Sequence, residues 1–433
     1  MADKNDLKAV AVQDRNSLFS KLFGLSIFLL FSVGQAGLGL TGLFSFILFL
    51  LSAVYLLAVR PSIELEKTEK LFVFGMLLYP TATLVSIVVH DTESWKYLDN
   101  PSRIALALLV FFTVRSSTVK IDGLHWGVVI GAITVGCIAL YQHHILGIGR
   151  VYGYISFPNN PITFGNAALL LGVLSVFSIH TIRSSIGMLA YPTVVLAIGL
   201  GVYASLLSGT RGGWVSLPFL AYILLNWQGR TGTKSFLLAM ILVTIGFFVA
   251  SQWIPGVEGR LGSAWNELYS ILIQGEWTSG SVGTRLHMWY AAFLAFLDSP
   301  LLGVGLGNYF DFKKLLIENQ IVMKSVISFP YAHNEMIHYL GEIGLFGFVP
   351  LLLLYISWLV LALVNAKKRG KTRDIAYMGL VIIVFRFDIA LTEVQFVYHF
   401  TTLFYVMLFA IVAGFMCRPI KTDAETLSLQ LDK

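Results

Sequence analysis

Apolar runs of roughly 20 residues, the length a helix needs to cross a bilayer, recur along nearly the whole chain, each bounded by charged or turn-forming residues. With 56% hydrophobic and 12% charged residues among 433 and a mean hydropathy of +0.76, no soluble fold could cover this chain with polar surface. The runs are continuously apolar rather than alternating, which predicts spanning helices and not barrel strands. The expected fold is an all-α polytopic membrane protein of about 12 transmembrane helices. Their centres fall near Leu29, Leu50, Leu78, Leu108, Ile133, Leu171, Ile198, Phe219, Ile245, Leu351, Val381 and Met407.

Charge sets the expected orientation. With the N-terminus inside, only Lys96, Arg103, Arg150 and Arg211 of the 30 Lys and Arg fall in short segments on the opposite side, an asymmetry that places both termini in the cytoplasm. The net charge of +6 is then accounted for by the inner leaflet, and a nucleic-acid partner is rejected. The first apolar run has no cleavage site after it and reads as a retained span. Cys137 and Cys417 lie in separate spans, which argues against a disulfide.

Three parts are expected: helices 1 to 9 over residues 1–252, one long outer loop over 253–332, and helices 10 to 12 with a short cytoplasmic tail over 333–433. A loop of that length should fold, and function concentrates in such segments. Within it "TRLHMWYAAFLAFLDSP" has helical spacing, is too short to span, and predicts an interfacial helix carrying Arg285. Trp253, Trp265, Trp277 and Trp289 recur every twelve residues, which is no helical or strand period; interface anchoring is the simpler reading and sugar stacking the alternative.

At the end of the loop, "SFPYAHNEMIHYLGEIG" crowds two histidines and two glutamates at a helix start. A zinc helix needs its histidines about 40° apart, whereas His333 and His338 are about 140° apart, so a metal site is not expected. His338 shares a face with Glu342 and Glu335 and suits a structural pair. His333 should occupy the first helical turn, where the helix N-terminus disfavours imidazolium and leaves a ring able to accept a proton. That suits a general base, although an interfacial histidine taken alone is more often a plain polar residue. Asn334 could orient a substrate or cap the helix.

"LLSGTRGGWVS" places Ser208, Gly209 and Thr210 beside Arg211, with Gly212 and Gly213 open to close approach; this suits a phosphate, or else an ordinary turn. "SPLLGVGLGNYF" resembles a dinucleotide fingerprint only superficially, since it lacks the strand and helix context, and no nucleotide site is expected. Arg386 and Asp388 lie inside an apolar run about 200° apart, so they should face different partners, as a functional or a structural pair.

Taken in order, "SGTRGGW", "GTRLHMWYAAFLAFLDSPLLGVGLGNYF" and "HNEMIHYLGEIGLFGF" resemble the O-antigen ligase and polymerase superfamily. The resemblance implies a GT-C-like glycosyltransferase of the bacterial inner membrane, active on the periplasmic face without cofactor, nucleotide or metal. It implies an undecaprenyl-diphosphate-linked O antigen as donor and a lipid A-core hydroxyl as acceptor. It also implies His333 as the essential histidine, and Arg211 and Arg285 as the donor diphosphate's ligands. Asn334, His338, Glu342, Arg386 and Asp388 are supporting candidates. An O-antigen polymerase shares fold and donor. A protein O-oligosaccharyltransferase commonly adds a soluble C-terminal domain, whereas this chain ends soon after its last span. A polyprenyl-glycan flippase would show helices and buried charges but needs no base.

Overall fold

The computed structural model describes residues 4–37, 39–90, 95–154, 160–210, 212–253, 266–267, 269–274 and 280–419. It is all-α, 80% helical, with no strand among the described residues. The helices are α1 Lys4–Ser32, α2 Leu40–Val59, α3 Lys67–Val89, α4 Asp99–Ser116, α5 Asp122–Leu140, α6 Pro161–Leu174, α7 Ile179–Ile186, α8 Ala190–Leu207, α9 Leu217–Trp227 and α10 Thr233–Trp253. They continue with α11 Ser281–Asp298, α12 Tyr309–Glu318, α13 Glu335–Ala366, α14 Lys371–Ala390 and α15 His399–Met416.

All twelve expected centres fall on helices. Among the described residues seven stretches are long and apolar enough to cross a membrane, fewer than the roughly twelve expected. The difference has physical causes. Residues Pro161–Leu207 form one apolar stretch in which α6, α7 and α8 follow each other through short 3-10 turns. Helices α4 and α14 carry several charges, and α9 is short.

Without a hydrophobic force between helices in lipid, packing depends on how closely backbones approach. Gly123, Gly127 and Gly131 line one face of α5, and a Cβ on any of them would run into backbone atoms of α1 at Gly24, Phe28 and Phe31. Helix α15 is buried along nearly its whole length, packed on α4, α14 and α2, so it forms the centre of the bundle. Helix α2 lies at the periphery and exposes Leu43, Phe46, Leu50, Val54 and Leu57, the surface a helix presents to lipid.

Helix α13 is kinked at Gly344, where φ 57 and ψ −162 interrupt it. The kink releases backbone groups that the preceding glycine-rich segment takes up. Leu345 N–H donates to Pro300 O and Phe346 N–H to Leu301 O, while Val304 and Gly305 N–H donate to Gly341 O and Glu342 O. A side chain at Gly303 would collide with the backbone of Glu342. The glycines of "GVGLGN" therefore serve this docking.

Helices α11 and α12 build a small second core of Met288, Ala291, Ala292, Tyr309, Leu316, Val326 and Ala332. Helix α11 buries one face, with Gly283, Thr284, His287 and Met288 packed inward along α13, while Tyr290, Phe293 and Leu297 on the other face stay exposed. Trp289 packs against the same core, its indole nitrogen buried, while Trp265 and Trp277 lie outside the described residues.

Candidate active site

The first turn of α13 and the turn between α14 and α15 are 60 residues apart in sequence and interlock. Asn334 is the N-cap of α13: its side-chain oxygen accepts from Met336 N at 3.0 Å and Ile337 N at 3.1 Å, the capping alternative of the two expected for it. His333 therefore precedes the cap and is not in the first turn, and its backbone is left-handed at φ 49. The shift has a simple origin, since Asn is the better cap and takes that position.

His333 Nδ1 lies 2.9 Å from Glu393 Oε2, with the imidazole 20% and the carboxylate 2% exposed. A carboxylate only accepts, so Nδ1 carries a proton, and in the neutral tautomer that this selects, Nε2 is the nitrogen with the lone pair. Glu393 is fixed in turn by its other oxygen, which accepts from Val394 N at 3.1 Å. Phe329 packs edge-on against the imidazole at 5.4 Å.

One residue beyond the cap, Glu335 is fully buried and accepts five hydrogen bonds. Arg386 Nη2 donates to both its oxygens at 2.9 and 3.0 Å, Tyr355 donates its hydroxyl at 2.6 Å, and the N–H groups of Gln395 and Phe396 donate at 2.7 and 3.1 Å. The guanidinium also lies over the rings of Tyr355, Phe396 and Tyr405. This carboxylate ties the start of α13 to the turn that carries Glu393.

Arg386 and Asp388 do face different partners. Asp388 Oδ2 accepts from Ser216 N at 2.7 Å, which fastens the loop before α9 to the end of α14. In that loop the hydroxyls expected to face a phosphate are used internally: Ser208 Oγ and Thr210 Oγ1 lie 2.7 Å apart, and Thr210 donates to Pro161 O at 2.9 Å. The paired glycines also have a packing reason, since a side chain at Gly212 would strike Thr392 and one at Gly213 would strike Phe385. Arg150 Nε donates to Ser208 O at 2.8 Å. Arg211 lies outside the described residues.

His338 Nε2 lies 3.3 Å from Glu342 Oε2, one turn on, and both are buried. Glu342 Oε1 also accepts from Gly307 N at 2.8 Å, so this pair belongs to the docking of the glycine-rich segment. Arg285 is half-buried on α11, and no carboxylate among the described residues pairs with it. No three His, Cys, Asp or Glu side chains among the described residues gather as metal ligands.

Two phenols flank the dyad. Burial, reinforced by Glu342, Tyr97 and Glu393, pushes Tyr331 up to about 12, and burial with Glu393 and Tyr331 raises Tyr398 above the ordinary phenol range. Both therefore remain hydroxyl donors at neutral pH. Glu393 and Tyr398 were not singled out in the sequence. The available signal was an acid just past the eleventh apolar run, in the same segment as Arg386 and Asp388.

Residues 193–352 match a family described as O-antigen ligase, a span that includes the "SGTRGGW" loop, α11 and the His333 motif and stops before Glu393. An uncharacterized protein of Haemophilus influenzae is 26% identical over 345 residues, covering 78% of this chain and 84% of its own. These motifs, matched over residues 193–352 of a multi-pass all-α bundle, support an O-antigen ligase/polymerase superfamily member, a family of glycosyltransferase-like membrane enzymes.

Proposed function

We propose that the chain is an O-antigen ligase, transferring O-antigen glycan from undecaprenyl diphosphate to a sugar hydroxyl of lipid A-core on the periplasmic face of the inner membrane. The observation that carries this reading is the His333–Glu393 pair at 2.9 Å, an imidazole oriented by a buried carboxylate yet itself partly open. His333 Nε2 takes the proton of the acceptor hydroxyl, and the hydroxyl oxygen forms a bond to the anomeric carbon. The bond from that carbon to the phosphate oxygen breaks, undecaprenyl diphosphate leaves with the electron pair, and the anomeric centre inverts. Glu393 stabilises the imidazolium that forms.

A diphosphate leaving group is already activated, so neither ATP nor a sugar nucleotide is required. The chemistry calls for cations on the developing phosphate charge, the role proposed for Arg211 and Arg285 because a guanidinium matches phosphate oxygens and stays charged. Support for Arg211 comes from its neighbour Gly212, which packs on Thr392, next to Glu393. Arg285 is supported by its helix, which packs on the one that His333 introduces.

Purified protein reconstituted with lipid-linked O antigen and lipid A-core, without ATP, should form ligated lipopolysaccharide. His333→Ala should lose about 10²- to 10⁴-fold in turnover, the usual contribution of a general base, while still binding donor. Product appearing only as a longer lipid-linked glycan would make the enzyme a polymerase instead. Retained turnover in His333→Ala would remove His333 as the base.

A further inference from the structure

Among the buried cations, Lys313 on α12 has no part in the chemistry above. It is fully buried, its ammonium donates to the carbonyl of Phe329, and it sits over the rings of Tyr309 and Phe310 at 5.4 and 5.1 Å. No carboxylate among the described residues pairs with it. A methionine or leucine there would join the surrounding core of Met288, Leu316, Val326 and Ala332 without the cost of desolvating an ammonium. Burial pulls the group down to about 8, which is a measure of that cost.

What the lysine does hold is the segment leading to His333. Its acceptor, Phe329, is four residues before the histidine, and the Phe329 ring packs edge-on against the imidazole at 5.4 Å. One turn before Lys313 on the same helix, Tyr309 donates its hydroxyl to Met288 O at 2.8 Å and packs edge-on against His338 at 5.0 Å. Helix α12 is thus a bracket, bound to α11 and α13 through Tyr309 and to the His333 loop through Lys313.

A left-handed backbone at a non-glycine residue is strained and persists only when the surrounding chain fixes it. Downstream of His333 the Asn334 cap does this. Upstream, the Tyr331 ring packs against His338 and Tyr398 and Ala332 is buried, and the Lys313 bond adds the polar anchor at Phe329.

We propose that Lys313 is a positioning residue: by fixing the Phe329 carbonyl it sets the loop, and with it the Phe329 ring, that hold the His333 imidazole toward its substrate. The proposal rests on His333 being the base. Lys313→Met, close in volume, should insert and melt no lower than wild type. Its kcat should fall about 10-fold or more, with donor KM changed less than about 3-fold, because a misaimed base is felt in turnover and not in uniform binding. Lys313→Arg, which restores a donor, should recover part of kcat.

If Lys313→Met keeps wild-type kcat, or loses kcat only in proportion to its folded fraction, the proposal is wrong. Should Lys313→Met fail to insert, Phe329→Ala leaves the lysine its carbonyl and removes only the ring; wild-type kcat there would overturn the proposal equally. His333→Ala in the same assay separates the two ideas. If it turns over, the base assignment falls and takes this one with it; if it is inactive while Lys313→Met is normal, only the role of Lys313 falls.

Discussion

Two carboxylates, one paired with a guanidinium and one with an imidazole, join the start of α13 to the end of α14 and the turn after it, and the pairs differ in what surrounds them. Glu335 and Arg386 are both 0% exposed, and every oxygen of the carboxylate is occupied by donors. His333 lies just before Glu335 and Glu393 just past the helix of Arg386, but the imidazole keeps 20% exposure and one nitrogen outside the pair. The first arrangement can only hold; the second holds one nitrogen and leaves the other for chemistry. A sealed pair beside an open one gives the proposed base a rigid support, which is what preorganised catalysis requires.

Breaking the sealed pair should have the largest effect. Arg386→Met leaves Glu335 buried and charged, and losing one partner of such a pair costs about 3–5 kcal/mol, a large part of typical protein stability. Thermal unfolding in detergent should show a strongly lowered midpoint and no transferase activity. Arg386→Met with Glu335→Leu, which removes both charges, should recover much of the midpoint but not the activity, because the turn bearing Glu393 loses its anchor. A single variant that melts like wild type would mean that the pair is not the clamp described.

Breaking the open pair should cost activity instead. Glu393→Gln keeps the shape but no longer favours the Nδ1–H form of His333 or its protonation during turnover. A loss of about 10- to 100-fold in kcat is expected, with the melting midpoint nearly unchanged. If Glu393→Gln destabilises the fold as severely as Arg386→Met while its folded fraction turns over normally, the contrast between the pairs is false.

Much of this contrast lies beyond what residue order can convey. Helix positions were legible because lipid imposes continuous apolar runs, and each expected centre lies on a helix. His333, Arg386 and Asp388 stood out because a charge or imidazole near an apolar run is rare. The pairings did not stand out: Glu335 meets Arg386 across 51 residues and His333 meets Glu393 across 60, and no local spacing encodes either. Glu335 looked like a neighbour of His338 on one helix face, but the Arg386 guanidinium and two backbone N–H groups take it. The glycines at 303, 305 and 307 were recognisable as special. Their reasons lie far along the chain: Gly303 abuts the Glu342 backbone beside the Gly344 kink, Gly305 abuts His90 and Gly307 abuts Tyr97.

The smallest expected effect sharpens the comparison from a third case, a buried cation with no acid at all. Burial lowers Lys313 from the ordinary 10.5 to about 8. Between those values the unfolded chain holds a proton that the folded one has released, so this group makes stability rise with pH across that window. Below pH 8 both states are protonated, and the full penalty of the buried charge remains. Replacing the lysine by methionine removes this dependence and leaves the others in place, including those of Tyr331 and of Tyr309, whose phenol burial also raises. The melting midpoint of Lys313→Met minus that of wild type should therefore be largest near pH 7 and shrink as pH approaches 10. A difference that stays constant would mean that the Lys313 ammonium is compensated as Arg386 is, and the distinction between a cation sealed by its acid and one held by a lone carbonyl would not stand.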